Sequence, residues 1–394
     1  NPLIAKARID NWQDVFEIID LEIKNKKLVI VLDEFQWIAG RDFSVVSSIQ
    51  EHWDNHWKNS GEIFFVLCGS IVSFMEKKVL SEKSPLYGRR TASLLLEPMP
   101  VNEAKLFFPR KIVREQTEFL MAFGGIPSYL EIVESSKSFA QNINKLALTK
   151  NGYFVNEVDF ILREQLKNPK RYYLLLKKLS KKPMSREELA HELKISNSGA
   201  LDLYLKTLEG LHLIKQFVPF GKNETVKTQQ YAIWDEFLRF YFTFIFPNKE
   251  LIEMNRDDWL YDRLIAPLWD VYCGYSFELF CRKNIKEINK ILGIEKVFKR
   301  SGIYWQKKTE RREGVQIDIV IERTDKVTHL IESKWSSGTV GASIVEEMER
   351  KKQLYPNPQK HTIKTAIITT HGITKQVSDS HAIDDVIILK DILS

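Results

Sequence analysis

The 394 residues carry 58 basic and 52 acidic side chains, a formal charge of +6, with 44% hydrophobic and 28% charged content. That is enough chain for two or three globular domains, and the mild basicity admits an anionic partner without requiring one. Three widely spaced cysteines, Cys68, Cys273 and Cys281, form neither a disulfide framework nor a zinc pattern and suit a reducing, cytoplasmic interior; no long apolar run predicts a membrane span, and no secretory signal is visible.

Residues 1–24 read as helix through Val15, Phe16, Ile18, Ile19 and Ile23. Leu28–Leu32 ("LVIVL"), Ile63–Leu67 ("IFFVL") and Leu94–Leu96 are continuous apolar runs separated by helical stretches. That alternation predicts a parallel sheet covered on both faces, over residues 1–100. Residues 101–168 are helical, broken by "GGIP" at 124–127. Residues 169–233 give three helices and two strands joined at "GKNET", the winged helix-turn-helix plan, with Ser185 and Glu188 as a capping box. The face expected to read DNA carries Asn197, Ser198, Asp202 and Lys206, which is thin chemistry for a base or phosphate contact. Residues 234–261 are aromatic-rich ("WDEFLRFYFTFIF"), a buried helix or a packing surface. Residues 262–394 read as a separate domain: a helix over 267–290, strands near 297–305, 316–321 and 328–334, a helix over 340–354, and two more strands. The expected class is α/β.

Two stretches carry chemistry. "KKLVIVLDEFQW" ends an apolar strand in Asp33 and Glu34, where an Asp can hold Mg²⁺ and a Glu can polarise water; both also serve as helix caps. Ser70 ends the next strand and could sense a γ-phosphate, and Arg89 and Arg90 could reach phosphate oxygens or simply lie on the surface. Near the other end, Asp318 and Glu332 sit on neighbouring strands of a hairpin, with Lys334 on the same strand face as Glu332. Glu278 on the preceding helix completes a set able to hold Mg²⁺ against a scissile phosphate and to activate water. The alternative is a solvated sheet end. Lys307, Lys308, Arg311 and Arg312 could contact a nucleic-acid backbone or form a solvated hairpin face.

"LVIVLDEFQW", "FFVLCGS", "SPLYGRRTASLLLEPM" and "GGIPSYLEIV" together resemble the prokaryotic, archaeal-type ATPases of the AAA+/STAND group. The C-terminal part resembles the domain usually fused to them, a PD-(D/E)xK nuclease-like domain, and the resemblance spans essentially the whole chain. It implies a P-loop NTPase-like parallel sheet, a helical lid over 101–168, the winged helix, connecting helices over 234–261 and a restriction-endonuclease-like α/β domain over 262–394. It also implies ATP and Mg²⁺ as cofactors, with Asp33 as metal ligand, Glu34 as the catalytic carboxylate that polarises water, and Ser70, Arg89 and Arg90 at the nucleotide. DNA is the expected partner, homo-oligomers are common in the group, and defence against foreign DNA is one cellular use. A regulatory or DNA-binding ATPase that does not cut is the alternative. The group's glycine-rich Lys-Ser/Thr loop does not occur in these 394 residues, so the expectation is that it lies before Asn1 and that these residues alone neither bind ATP tightly nor hydrolyse it.

Overall fold

The computed structural model describes residues 8–23, 27–71, 74–166, 168–195, 198–222, 229–255, 259–310 and 312–394. They form two compact units, residues 1–96 and 97–394.

In the first unit, β1 (Leu28–Leu32) and β2 (Ile63–Leu67) pair in parallel, Leu28 against Ile63 through Leu32 against Leu67. α1 (Trp12–Ile23), α2 (Phe35–Arg41) and α3 (Ser44–His52) cover one face, and a π-helical turn, Trp53–Trp57, extends α3. The core gathers Phe16, Phe35, Val45, Val46, Ile49 and Trp57 against the half-buried Leu28, Leu32, Ile63, Phe65 and Leu67. The other face leaves Val29, Val31 and Phe64 exposed, so among the described residues the expected cover is on one side only. Leu94–Leu96 is not the expected third strand: it pairs with nothing described, and Leu94 and Leu96 are 82% and 83% exposed. Three apolar residues hold extended structure only with a ladder partner.

The second unit is one compact body in which a large core draws on residues from Ala104 to Leu393, with two smaller clusters at the C-terminal sheet. Gly124 lies at φ 70°, and a Cβ on Gly125 would come within 2.3 Å of the Met99 carbonyl, so this turn admits only glycine. Helices Pro169–Leu179, Arg186–Leu193 and Ser198–Gly210 precede the antiparallel pair β3 (Ile214–Phe217) and β4 (Gln230–Ile233), and Met184 bridges to Tyr231. The Ser185 capping box forms as expected. Asp202, expected on the exposed face, is engaged by Arg186, while residues 196–197 lie outside the described residues. The aromatic stretch forms a helix and a π-turn whose Phe237, Phe240, Tyr241, Phe242 and Phe244 are all buried, so these rings belong to the core.

The C-terminal sheet has the order β5 (Phe298–Gln306), β6 (Val315–Arg323), β7 (Val327–Lys334), β8 (Thr362–Thr369), β9 (Asp385–Ile388). β5, β6 and β7 are antiparallel, and β7, β8 and β9 are parallel. The Ser343–Leu354 helix supplies the crossover from β7 to β8 that a parallel pair requires. The free edge of β5 is covered where the Phe220 N–H bonds to the Ile303 carbonyl at 2.7 Å.

Candidate functional site

Two places assemble the chemistry the sequence singles out. The first is at the carboxyl ends of β1 and β2. The apolar run stops at Asp33, whose carboxylate accepts the Glu34 N–H at 2.9 Å. Glu34 sits in the left-handed region, φ 49° and ψ 42°, and α2 begins behind it. A side chain in that region is strained, and such strain collects at functional sites. The turn aims Glu34 across to β2: the Ser70 hydroxyl donates to its carboxylate at 2.8 Å, and the buried Gln36 amide bonds both Glu34 and Ser70. Asp33, Glu34 and Ser70 therefore share one strand-end corner. Gly69 keeps it tight, since a Cβ there would strike the Gln36 side chain at 2.8 Å.

The arginines separate. Arg89 is a fork on Asp54 of the π-turn, at 2.9 and 3.0 Å through Nε and 2.6 Å through Nη2, and Nη1 donates to the carbonyls of Pro85 and Tyr87. A guanidinium so engaged organises its own turn. Arg90 is exposed.

The second place is one end of the C-terminal sheet. The last antiparallel pair of β6 and β7 is Ile319 with Ile331, so one step further Asp318 and Glu332 face each other. Asp318 is 2% exposed and accepts the Ser333 N–H at 3.0 Å. Glu278, on the Ala266–Lys283 helix, approaches from the side: Gln316 Nε2 lies 3.5 Å from its carboxylate and 3.4 Å from that of Asp318. Arg282, one helical turn on, binds Glu278 at 3.0 Å and the Asp318 carbonyl at 3.0 Å. Lys334 bonds Glu332 at 3.2 Å, as the shared strand face predicts, and Glu347 at 3.0 Å.

Sequence reasoning missed Lys351. It is 5% exposed, and its ammonium binds Glu332 together with Glu347, the latter at 3.0 Å. The signal is legible afterwards: on the Ser343–Leu354 helix the inward residues are Ile344, Met348 and Lys351, a lysine on an apolar stripe. A charge at such a position is kept only where it meets a partner.

Burial, and then the neighbouring Asp318 charge, push the Glu278 and Glu332 carboxyls well above the usual carboxylate range, against the pull of Arg282 on the first and of Lys351 and Lys334 on the second. Burial opposes the Lys334 ammonium, but Glu332 and Glu347 outweigh it and hold the lysine charged. The donor set is all oxygen, which suits a hard divalent cation. Among the described residues, no three of these acids bring donor atoms within 4.8 Å of one another; that spacing is met by Asp20, His52 and His56 in the first unit.

Beside the cluster opens a cavity of about 410 Å³, with Gln316, Glu347 and Lys351 in its wall, and Trp305, Lys307 and Arg350 around it. Lys307 reaches Glu188 at 3.3 Å, Lys308 and Arg312 are exposed, and Arg311 lies outside the described residues. Trp335 packs on Phe277 and carries Arg114 over its ring at 4.3 Å, so it belongs to the core.

Fold and sites define a protein with two acids at the end of a parallel strand, followed by an α/β domain with a buried acid–lysine cluster. Residues 4–133 match the family described as an ATPase domain predominantly from Archaea, and residues 241–352 match a family of archaeal and bacterial proteins of unknown function. The Methanocaldococcus jannaschii protein MJECL04 is 31% identical over 336 residues, 85% of this chain and 72% of the relative. The chain belongs to the family of MJECL04 and carries an archaeal-type ATPase domain followed by that second domain. A second protein of that organism, MJ0424, is 39% identical over 57 residues, 14% of this chain and 54% of its own length. Among solved structures, the Walker-type ATPase PABY2304 of Pyrococcus abyssi aligns at a TM-score of 0.44 and 16% identity, over 60% of this chain and 69% of that one. No helix among the described residues is long and apolar enough to cross a membrane.

Proposed function

We infer that the protein is a cytoplasmic ATPase of the AAA+/STAND group that couples ATP binding to a metal-dependent, PD-(D/E)xK-like nuclease site acting on DNA. The reading rests most on one observation: Asp318 and Glu332 face each other across β6 and β7, with Glu278 and Lys334 at the same sheet end and a cation-bordered cavity alongside. Asp318 and Glu332 would hold Mg²⁺ or Mn²⁺, which supplies charge neutralisation at a phosphate. Glu278, kept partly protonated by burial, orients Gln316 and can hold a proton near neutral pH. Lys334, held charged, offers a donor to developing negative charge. Lys307 and Arg350 border the cavity, and Lys308 and Arg312 would join them in meeting a nucleic-acid backbone. The helices and hairpin of residues 169–233 act as a winged helix that packs the domain, since the face meant for bases has lost Asp202 to Arg186.

At the other site, Asp33 would hold the Mg²⁺ that accompanies ATP, Glu34 polarises water and Ser70 reads the terminal phosphate. Ser70 and Gln36 fix Glu34 in its strained conformation, ready for that task. Assembly into a homo-oligomer and service in defence against foreign DNA suit such coupling.

One observation favours the second reading, an ATPase that grips DNA without cutting. Both Glu332 oxygens are already engaged, one by Lys334 and the other by Lys351. Plasmid nicking in Mg²⁺ or Mn²⁺ decides: cleavage by the parent and none by Asp318→Ala supports the nuclease, and equal nicking by both removes it.

A further inference from the structure

We propose that Asp20, His52 and His56 form a transition-metal site, taking a cation of the Zn²⁺ or Co²⁺ class, that pins α1 to the turn after α3. One ligand atom from each of the three lies within 4.8 Å of the other two. The placement follows from the helices. His52 ends α3 and His56 lies in the π-turn that extends it, so the pair has the i, i+4 spacing that sets two imidazoles on one helix face. Their ring centroids are 5.7 Å apart. Asp20 comes from the facing α1, and its carboxylate meets His52 Nδ1 at 2.7 Å.

Two further observations bear on the ligand set. The ion would take the place of the proton between His52 Nδ1 and the Asp20 carboxylate, and His52 is only 3% exposed, so packing holds its ring in position for that. The other Asp20 oxygen accepts the Trp57 indole N–H, the kind of outer contact that orients a ligating carboxylate. Phe16 and Trp57 wall the histidine at 5.6 and 5.5 Å, which leaves the exposed His56 as the side from which water completes the coordination. Two imidazoles and one carboxylate suit Zn²⁺ or Co²⁺ better than Mg²⁺. Asp54, which holds the Arg89 fork, lies in the same π-turn, so the ion would stiffen the anchor of that arginine as well.

The test uses the whole chain without an affinity tag, stripped of metal and titrated with Co²⁺. The expected result is an intense visible absorption, that of a four- or five-coordinate site, which saturates at one equivalent per chain and is displaced by Zn²⁺. His56→Ala, at an exposed position, and Asp20→Asn should each weaken binding at least tenfold, while Asp318→Ala leaves the spectrum unchanged. Unchanged far-UV circular dichroism keeps loss of fold out of the comparison. The proposal is overturned if His56→Ala titrates like the parent, if the parent shows only the pale spectrum of aqueous Co²⁺, or if Asp318→Ala abolishes the signal.

Discussion

Glu332 owes its place in the interior to two lysines, and that dependence can be measured. Lys351→Met removes one ammonium and leaves a buried carboxylate with Lys334 alone, so urea unfolding should show a loss of about 3 kcal/mol, partly recovered in the double variant with Glu332→Gln. His329 gives the pH dependence. It is 1% exposed, its Nε2 lies 3.1 Å from the Arg323 guanidinium, and its Nδ1 has no hydrogen-bond partner among the described residues, with Asp385 3.9 Å away. Burial lowers its pKa, and Arg323 and Lys364 add to this against Asp385 and Asp384. The folded chain then binds fewer protons than the unfolded one between the depressed value and the ordinary one near 6.5. This contribution is fully present above pH 6.5 or so and is lost as pH falls through that window. Urea midpoints at pH 7.5 and 5.5 should differ less in His329→Gln than in the parent.

At the scale of elements, the strand ends decide where the acids go. β1 stops because Asp33 and Glu34 break the apolar run, and Glu34 turns into α2 through a left-handed residue that only a firm set of contacts maintains. β6 and β7 bring Asp318 and Glu332 together because antiparallel register pairs positions of constant sum, a relation that alternation alone gives once the hairpin turn is placed. The 124–127 turn is set just as firmly. Gly125→Ala drives a methyl into the Met99 carbonyl and should cost about 3 kcal/mol in thermal or urea unfolding, with Gly125→Ser at least as costly.

At the scale of the molecule, the division falls between residues 96 and 97, and the chain beside it, Leu94–Leu96, is exposed and unpaired. Exposed backbone without a ladder is where proteases enter. Limited digestion with a protease that accepts leucine should cut first near 94–96, and the 97–394 product should stay resistant because its large core draws on residues from Ala104 to Leu393. First cuts spread through 169–233 would show instead that the helices and hairpin there open on their own.

Local pattern along the chain places every strand of the C-terminal sheet to within a few residues, sets Asp318 and Glu332 on neighbouring strands of a hairpin, puts Glu332 and Lys334 on one face, and ends a strand at Asp33 and Glu34. These follow from local period and from where apolar runs stop. Tertiary structure alone decided the partners that come from far along the chain. Lys351 reaches Glu332 only because a crossover helix lies on the sheet, Arg89 finds Asp54 in the turn after α3, and Asp20 meets His52 only when α1 packs on α3. It also decided that the aromatic stretch would be core and that Leu94–Leu96 would stay unpaired. The physical reason is the same in each case: a side chain's own spacing fixes the face it occupies, but the charge or surface opposite that face belongs to another part of the fold.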